Sequence, residues 1–258
     1  MDALVEQLVT CAASRESQAK IIEPLVTSDV AMFDAALKAY FRHFSASNIE
    51  PDPLFLTQFT EAWVDFTINA LANVAKIRPA TQVEDFSLPG GRILYATWHF
   101  PEYPLILDEL VRKNIIAVVA QNSFWMRKLE INRLTLNFNT AANIFRLRRV
   151  LEAGQPLLMM FDYCYSGTRN RSVQFMGEPT ATPSGLIEWA RRHGYEVRFI
   201  TIQGSQFHSE AILCANSPAL ETMAALNVRI ESDILAAPSK WLLWGSLEAR
   251  RAKPCSSA

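Results

Sequence analysis

With 258 residues, half of them hydrophobic and a fifth charged, the chain is long enough to bury a sizeable core and too apolar for a disordered or fibrous protein. A formal net charge of −1 gives no global attraction to nucleic acid or anionic membranes, so nucleic acid is not an expected partner and electrostatic recognition falls to local clusters. Cys11, Cys164, Cys214 and Cys255 stand far apart, with no CxxC pair and no histidine at ligand spacing, so neither a disulfide framework nor a metal site is expected.

The opening MDALVEQLV carries acids early and no basic stretch before an apolar one, unlike a secretory signal. The longest clean apolar runs, residues 115–120 and 156–161, are far shorter than the roughly 20 residues a spanning helix needs. The expectation is a cytoplasmic chain with at most peripheral membrane contact.

The first 80 or so residues read as helical. Leu4, Leu8 and Cys11 fall at helical spacing, and residues 31–44 and 54–77 repeat the pattern with Phe33, Tyr40, Phe41, Phe44, Phe59, Trp63 and Phe66. Such an aromatic stripe is normally core; the other reading is a face for an acyl chain, a membrane surface or a partner. From Gly90 the periods alternate. Residues 93–97 read as a buried strand, 101–111 as a helix opened by Pro101, 115–120 as a strand, 123–129 and 140–152 as helices, and 156–161 as another strand. Thr182, Pro183 and Gly194 read as N-cap, first residue and terminator of a helix, with a strand over 195–202 behind it. A last helix spans 218–235 behind Ser217. The sum is an α/β chain with a mostly parallel central sheet flanked by helices. Residues 1–85 form an N-terminal helical subdomain or cap, and residues 86–258 form the α/β core.

Strands of a parallel sheet deliver their carboxyl ends to one edge, where open α/β folds place their chemistry. His99 follows one such strand and Asp162 another, so the two are expected to meet with Arg169 and Arg171 nearby. That supplies a base, an acid and an anion-binding cluster. Taken alone, His99 reads equally as a packing residue and Asp162 as a turn-capping aspartate. His193 falls in a last helical turn, a surface position, and Arg146, Arg148 and Arg149 mark a basic helix face. The chain has no GxSxG, no GxxxxGK[ST], no GxGxxG after its first strand and no HExxH, which removes the usual support for hydrolase, nucleotide-dependent and metalloprotease chemistry.

A strand ending in HF, a later strand running into FDY, then RSVQFMGEPTATPSGLIEWARRHG and IESDILAAPSKWLLW together resemble the bacterial lipid A lauroyl/myristoyl acyltransferases of the lysophospholipid acyltransferase superfamily. The resemblance runs from about Arg92 to Trp244. It implies a glycerolipid-acyltransferase-like fold and an acyltransferase that moves an acyl group from an acyl-carrier-protein or acyl-CoA thioester to a hydroxyl or amine, on a small-molecule or carrier-tethered acceptor. It implies His99 as general base, no cofactor beyond the thioester substrate, and a place in the cytoplasm, peripheral at the inner membrane. In that family a carboxylate stands five positions after the histidine; here that position is Pro104, and Glu102 or Asp162 is the expected substitute. Arg169 and Arg171 are expected to bind substrate phosphate. The family's usual membrane anchor before the catalytic domain is not recognised, which points away from a membrane-resident lipid A precursor as acceptor. The alternative that Pro104 raises is a non-catalytic acyl- or carrier-binding member of the same fold.

Overall fold

The computed structural model describes residues 14–46, 50–75, 79–80, 83–84, 88–113, 115–118, 141–164, 169–213 and 217–252. Three helices come first: α1 (Arg15–Thr27), α2 (Val30–Ala46) and α3 (Phe55–Ala75). Ser14 caps α1 by accepting the Ser17 N–H at 3.2 Å, which satisfies one of the donors a helix start leaves open. Phe33, Ala36, Tyr40 and Phe44 recur at helical spacing and bury one face of α2. Tyr40 stacks on Phe55 of α3 with centroids 3.7 Å apart, and both rings meet Trp244 edge-on. Because Trp244 lies near the other end of the chain, the N-terminal helices and the strands share one contiguous core. The aromatic stripe is mostly core, as its spacing suggested: Phe33 and Phe66 are buried and Trp63 is half-buried, but Phe41 is exposed.

The α/β part contains β1 (Ile93–Thr97), α4 (Tyr103–Arg112), β2 (Ile116–Val118), α5 (Ala141–Glu152) and β3 (Leu157–Met160). It continues through β4 (Asn170–Phe175), β5 (Glu178–Pro183), α6 (Gly185–Arg192), β6 (Glu196–Gln203), β7 (Gln206–Ala211) and α7 (Ala219–Ala236). Two 3₁₀ turns, Pro238–Lys240 and Trp244–Ser246, lead into α8 (Leu247–Ala252). The main sheet has the order β2-β3-β1-β6-β7. Its first four strands are parallel and β7 folds back antiparallel on β6. All residues of β1 and β3 are buried, as strands covered on both faces require. The chain is therefore α/β with a mostly parallel sheet. Among the described residues no helix is long and apolar enough to cross a membrane.

Three strands depart from the sequence-based expectation. β4 and β5 pair as a separate antiparallel hairpin, with Arg171 opposite Thr182 and Asn170 opposite Pro183. Thr182 and Pro183 thus end a strand instead of opening a helix; pairing overrides the local cap signal, and Ser184 takes the N-cap place of α6 without a side-chain cap bond. The hairpin turns at Met176 and Gly177, both with positive φ (52° and 77°), as a primed two-residue turn demands. A methionine is held there by the Glu231 carboxylate, which accepts its N–H at 2.8 Å, and by Arg251, which donates to its carbonyl at 3.1 Å. β7 reads QFHSEA, a polar edge strand with little apolar alternation to announce it. The helices expected near residues 4–13 and 123–129, and residues 119–120 of the second expected strand, lie outside the described residues.

Candidate active site

The register of β1 on β3 pairs Thr97 with Met160, and the Phe161 N–H then donates to the Thr97 carbonyl at 2.8 Å. The parallel ladder therefore runs one step beyond the strands and brings the loops behind them together. His99 and Asp162 meet there. The His99 backbone N–H donates to Asp162 Oδ2 at 2.9 Å, and His99 Nδ1 lies 2.7 Å from Asp162 Oδ1. The carboxylate side chain is fully buried, while the imidazole keeps 18% of its surface open. With Nδ1–H donating to the carboxylate, Nε2 is left with its lone pair available, the tautomer a general base needs.

The loop that carries His99 is held on both sides. Leu242 N–H donates to the His99 carbonyl at 3.1 Å, and Asn69 Nδ2 on α3 donates to the Pro101 carbonyl at 2.9 Å. Tyr103 meets the imidazole edge-on at 5.1 Å and Tyr163 at 6.4 Å.

Asp162 has further donors behind it. Trp241 Nε1 donates to Oδ2 at 2.9 Å, and Arg250 donates to the Asp162 main-chain carbonyl at 2.9 Å. Burial opposes ionisation of Asp162, but the charge of His99, its two hydrogen bonds and the Trp241 bond outweigh that penalty and hold the carboxyl below its ordinary value. Arg250 is 3% exposed and lies over the Phe175 ring at 4.6 Å. Its desolvation pushes its pKa down to about 10, opposed by Asp162 and Cys164. Cys164 is a buried cysteine.

The other expected site residues are placed differently. Glu102 is buried, and Lys240 Nζ reaches its Oε1 at 2.8 Å; it ties the His99 loop to the 3₁₀ turn instead of meeting the imidazole. Of the two candidate acids, then, the structure brings Asp162 to His99. Pro104 is the second residue of α4, in the first turn where proline costs no hydrogen bond. Arg169 and Arg171 both face Glu188 of α6, at 3.8 and 3.3 Å. Arg148 pairs with Glu152 at 2.8 Å. It also lines a groove of about 350 Å³ between α5 and α6, with Ile144, Phe145, Trp189, Arg192 and His193. Among the described residues, no cluster of three or more His, Cys, Asp or Glu side chains could hold a metal ion.

No family model matches the chain, and no curated protein does either. The site is an oriented, partly open imidazole backed by a buried carboxylate, a geometry able to take a proton at Nε2 and hold the resulting charge. The residues that sequence reasoning missed are Trp241, Arg250, Asn69 and Tyr103. Trp241 and Arg250 belong to a tail whose tryptophans and basic residues were visible, but their partner lies 79 and 88 positions away, beyond the reach of any local pattern.

Proposed function

We propose that the chain is an acyltransferase that moves an acyl group from an acyl-carrier-protein or acyl-CoA thioester to a hydroxyl or amine, on a glycerolipid-acyltransferase-like fold. The observation that carries this reading is the 2.7 Å contact between His99 Nδ1 and Asp162 Oδ1 at the carboxyl edge of a parallel sheet. His99 Nε2 accepts the acceptor's proton as its oxygen or nitrogen attacks the thioester carbonyl. The imidazolium so formed is stabilised by Asp162, then returns the proton to the departing sulfur. One C–O or C–N bond forms, one C–S bond breaks, and free thiol leaves. Base catalysis of this kind contributes about 10²–10⁴ in rate.

Glu102 supports the loop through Lys240 and is not the acid. The exposed Arg169 and its neighbour Arg171 are the side chains we assign to phosphate on the donor's pantetheine arm or on the acceptor. The basic face of α5, from Arg146 to Arg149, is assigned to the acidic surface of a carrier protein. The reading places the protein in the cytoplasm, peripheral at the inner membrane. Pro104, standing where a carboxylate is expected, favours the second reading, a non-catalytic acyl- or carrier-binding protein of the same fold.

Intact-mass spectrometry of wild type and His99→Ala, each incubated with acyl-carrier-protein and acyl-CoA donors and pooled alcohols and amines, separates the two. Thioester consumption and an acylated product with wild type alone support transfer. Binding of a donor without turnover by either protein supports the second reading.

A further inference from the structure

We propose that Trp241 is a positioning residue for the His99–Asp162 pair, and that the segment from Lys240 to Arg250 serves as the strap that holds the pair in register. The inference rests on the reading of His99 as a base, but its geometry stands independently. Asp162 divides its two oxygens between jobs: Oδ1 faces the imidazole, and Oδ2 receives the His99 backbone N–H and the Trp241 indole N–H. An indole nitrogen donates and never accepts. Its bond therefore persists only while Oδ2 presents a lone pair, and it fixes the carboxylate plane without competing for the proton on His99.

Trp241 cannot swing away. It is fully buried, with Phe175 of the β4–β5 hairpin edge-on at 5.6 Å and Trp244 at 4.9 Å. The same strap reaches the pair at two more points, Leu242 N–H to the His99 carbonyl and Arg250 to the Asp162 carbonyl, and the loop beside it through Lys240 to Glu102. Phe175 also lies under Arg250. The hairpin carrying VQFMGEP is thus a platform for the strap, and the strap fixes the acid. The charged groups facing Asp162 are His99 and Arg250, and Cys164 acts on Arg250 behind it. Of these His99 donates to the carboxylate itself and Arg250 to the main-chain carbonyl, so loss of the indole leaves Oδ2 with the backbone N–H alone.

The test compares Trp241→Phe, which keeps an aromatic ring and removes the donor, with Tyr195→Phe. Tyr195 is equally buried but lies outside the strap and donates to the Gln155 carbonyl, so its variant reports the loss of a buried donor away from the pair. Two readouts need no activity: the exchange rate of the His99 Nδ1–H proton by ¹⁵N-resolved NMR, with His99→Asn identifying the signal, and the titration of the Asp162 carboxyl carbon. Trp241→Phe is expected to speed exchange about tenfold or more, to move the Asp162 titration upward, and to lower kcat about tenfold with KM unchanged, the scale of one hydrogen bond to a charged group. Tyr195→Phe is expected to lower Tm and leave all three alone. If Trp241→Phe fails to fold, benzothienylalanine at position 241 replaces the N–H by sulfur at nearly constant volume. Wild-type exchange and titration in either donor-less variant at position 241 overturn the proposal. No turnover by wild type on any thioester refutes the acyltransferase reading, and the two NMR readouts then decide the role of Trp241.

Discussion

Asp162→Asn keeps the shape of the acid, removes its charge and leaves its donors without enough acceptors. Asp162 receives three N–H donors, one on Oδ1 and two on Oδ2. Asparagine has one accepting oxygen, so its NH₂ must face one of the two sides. Turned toward the imidazole, it forces Nδ1 to accept and sends the ring proton to Nε2, where it blocks base catalysis. Turned toward Trp241 and the His99 backbone, it opposes two buried donors. Either way the base is lost or its loop displaced, and turnover is expected to fall about 10²–10⁴-fold. Stability carries a second signature. The folded-state pKa of Asp162 lies below the ordinary value, so its ionised form stabilises the fold above the unfolded carboxyl pKa, about 3.9. That contribution disappears as pH falls through the folded value. Urea melts of wild type from pH 7 downward should thus lose a component that Asp162→Asn lacks, and the gap between the two proteins should narrow on acidification. Wild-type turnover by Asp162→Asn on a thioester that wild type consumes, or a gap constant with pH, refutes this account of the pair.

Glu102→Gln is expected to keep turnover within about threefold of wild type and to cost about 0.5–1 kcal/mol in urea melts, because Glu102 faces the half-exposed Lys240 and not the imidazole. Arg250→Met removes the donor to the Asp162 carbonyl and the cation over Phe175; a stability loss of about 2–4 kcal/mol, read by urea melts, is expected. Joint reversal of charge at Arg148 and Arg192, on the groove where Phe145 is 66% exposed, is expected to raise KM about tenfold or more for a carrier-protein donor and to leave KM for the corresponding coenzyme A thioester unchanged, measured by steady-state kinetics.

The parts of the fold that are legible from sequence are those where one local signal dominates. Ile93–Thr97 is an uninterrupted apolar run behind two glycines, and the strand takes those bounds. The meeting of His99 and Asp162 was legible too, since two buried parallel strands with short loops leave their next residues on one edge. The β4–β5 hairpin was not. Its half-buried Arg171 and exposed Ser172 and Gln174 look like loop, and its burial depends on Asn227, which donates to the Gln174 carbonyl from α7. The roles of Glu102 and Trp241 were hidden for the same reason. A carboxylate three residues from a histidine looks like its partner until Lys240, 138 positions on, claims it.

Drawing the acid from a second strand alters what the site depends on. A carboxylate within the same helix start as the histidine is positioned by local backbone alone, whatever the sheet does. Here the pair is set by the β1–β3 register, Thr97 against Met160, and a slip of one residue moves Asp162 by about 3.3 Å and turns its side chain to the other face. The 2.7 Å contact with His99 does not survive such a shift. The Phe161 N–H bond to Thr97, the Leu242 bond to His99 and the Arg250 bond to Asp162 all oppose that slip. A proline at position 104 is compatible with the pair, because the first turn of α4 does not supply the carboxylate and is free to begin with residues that favour a helix start.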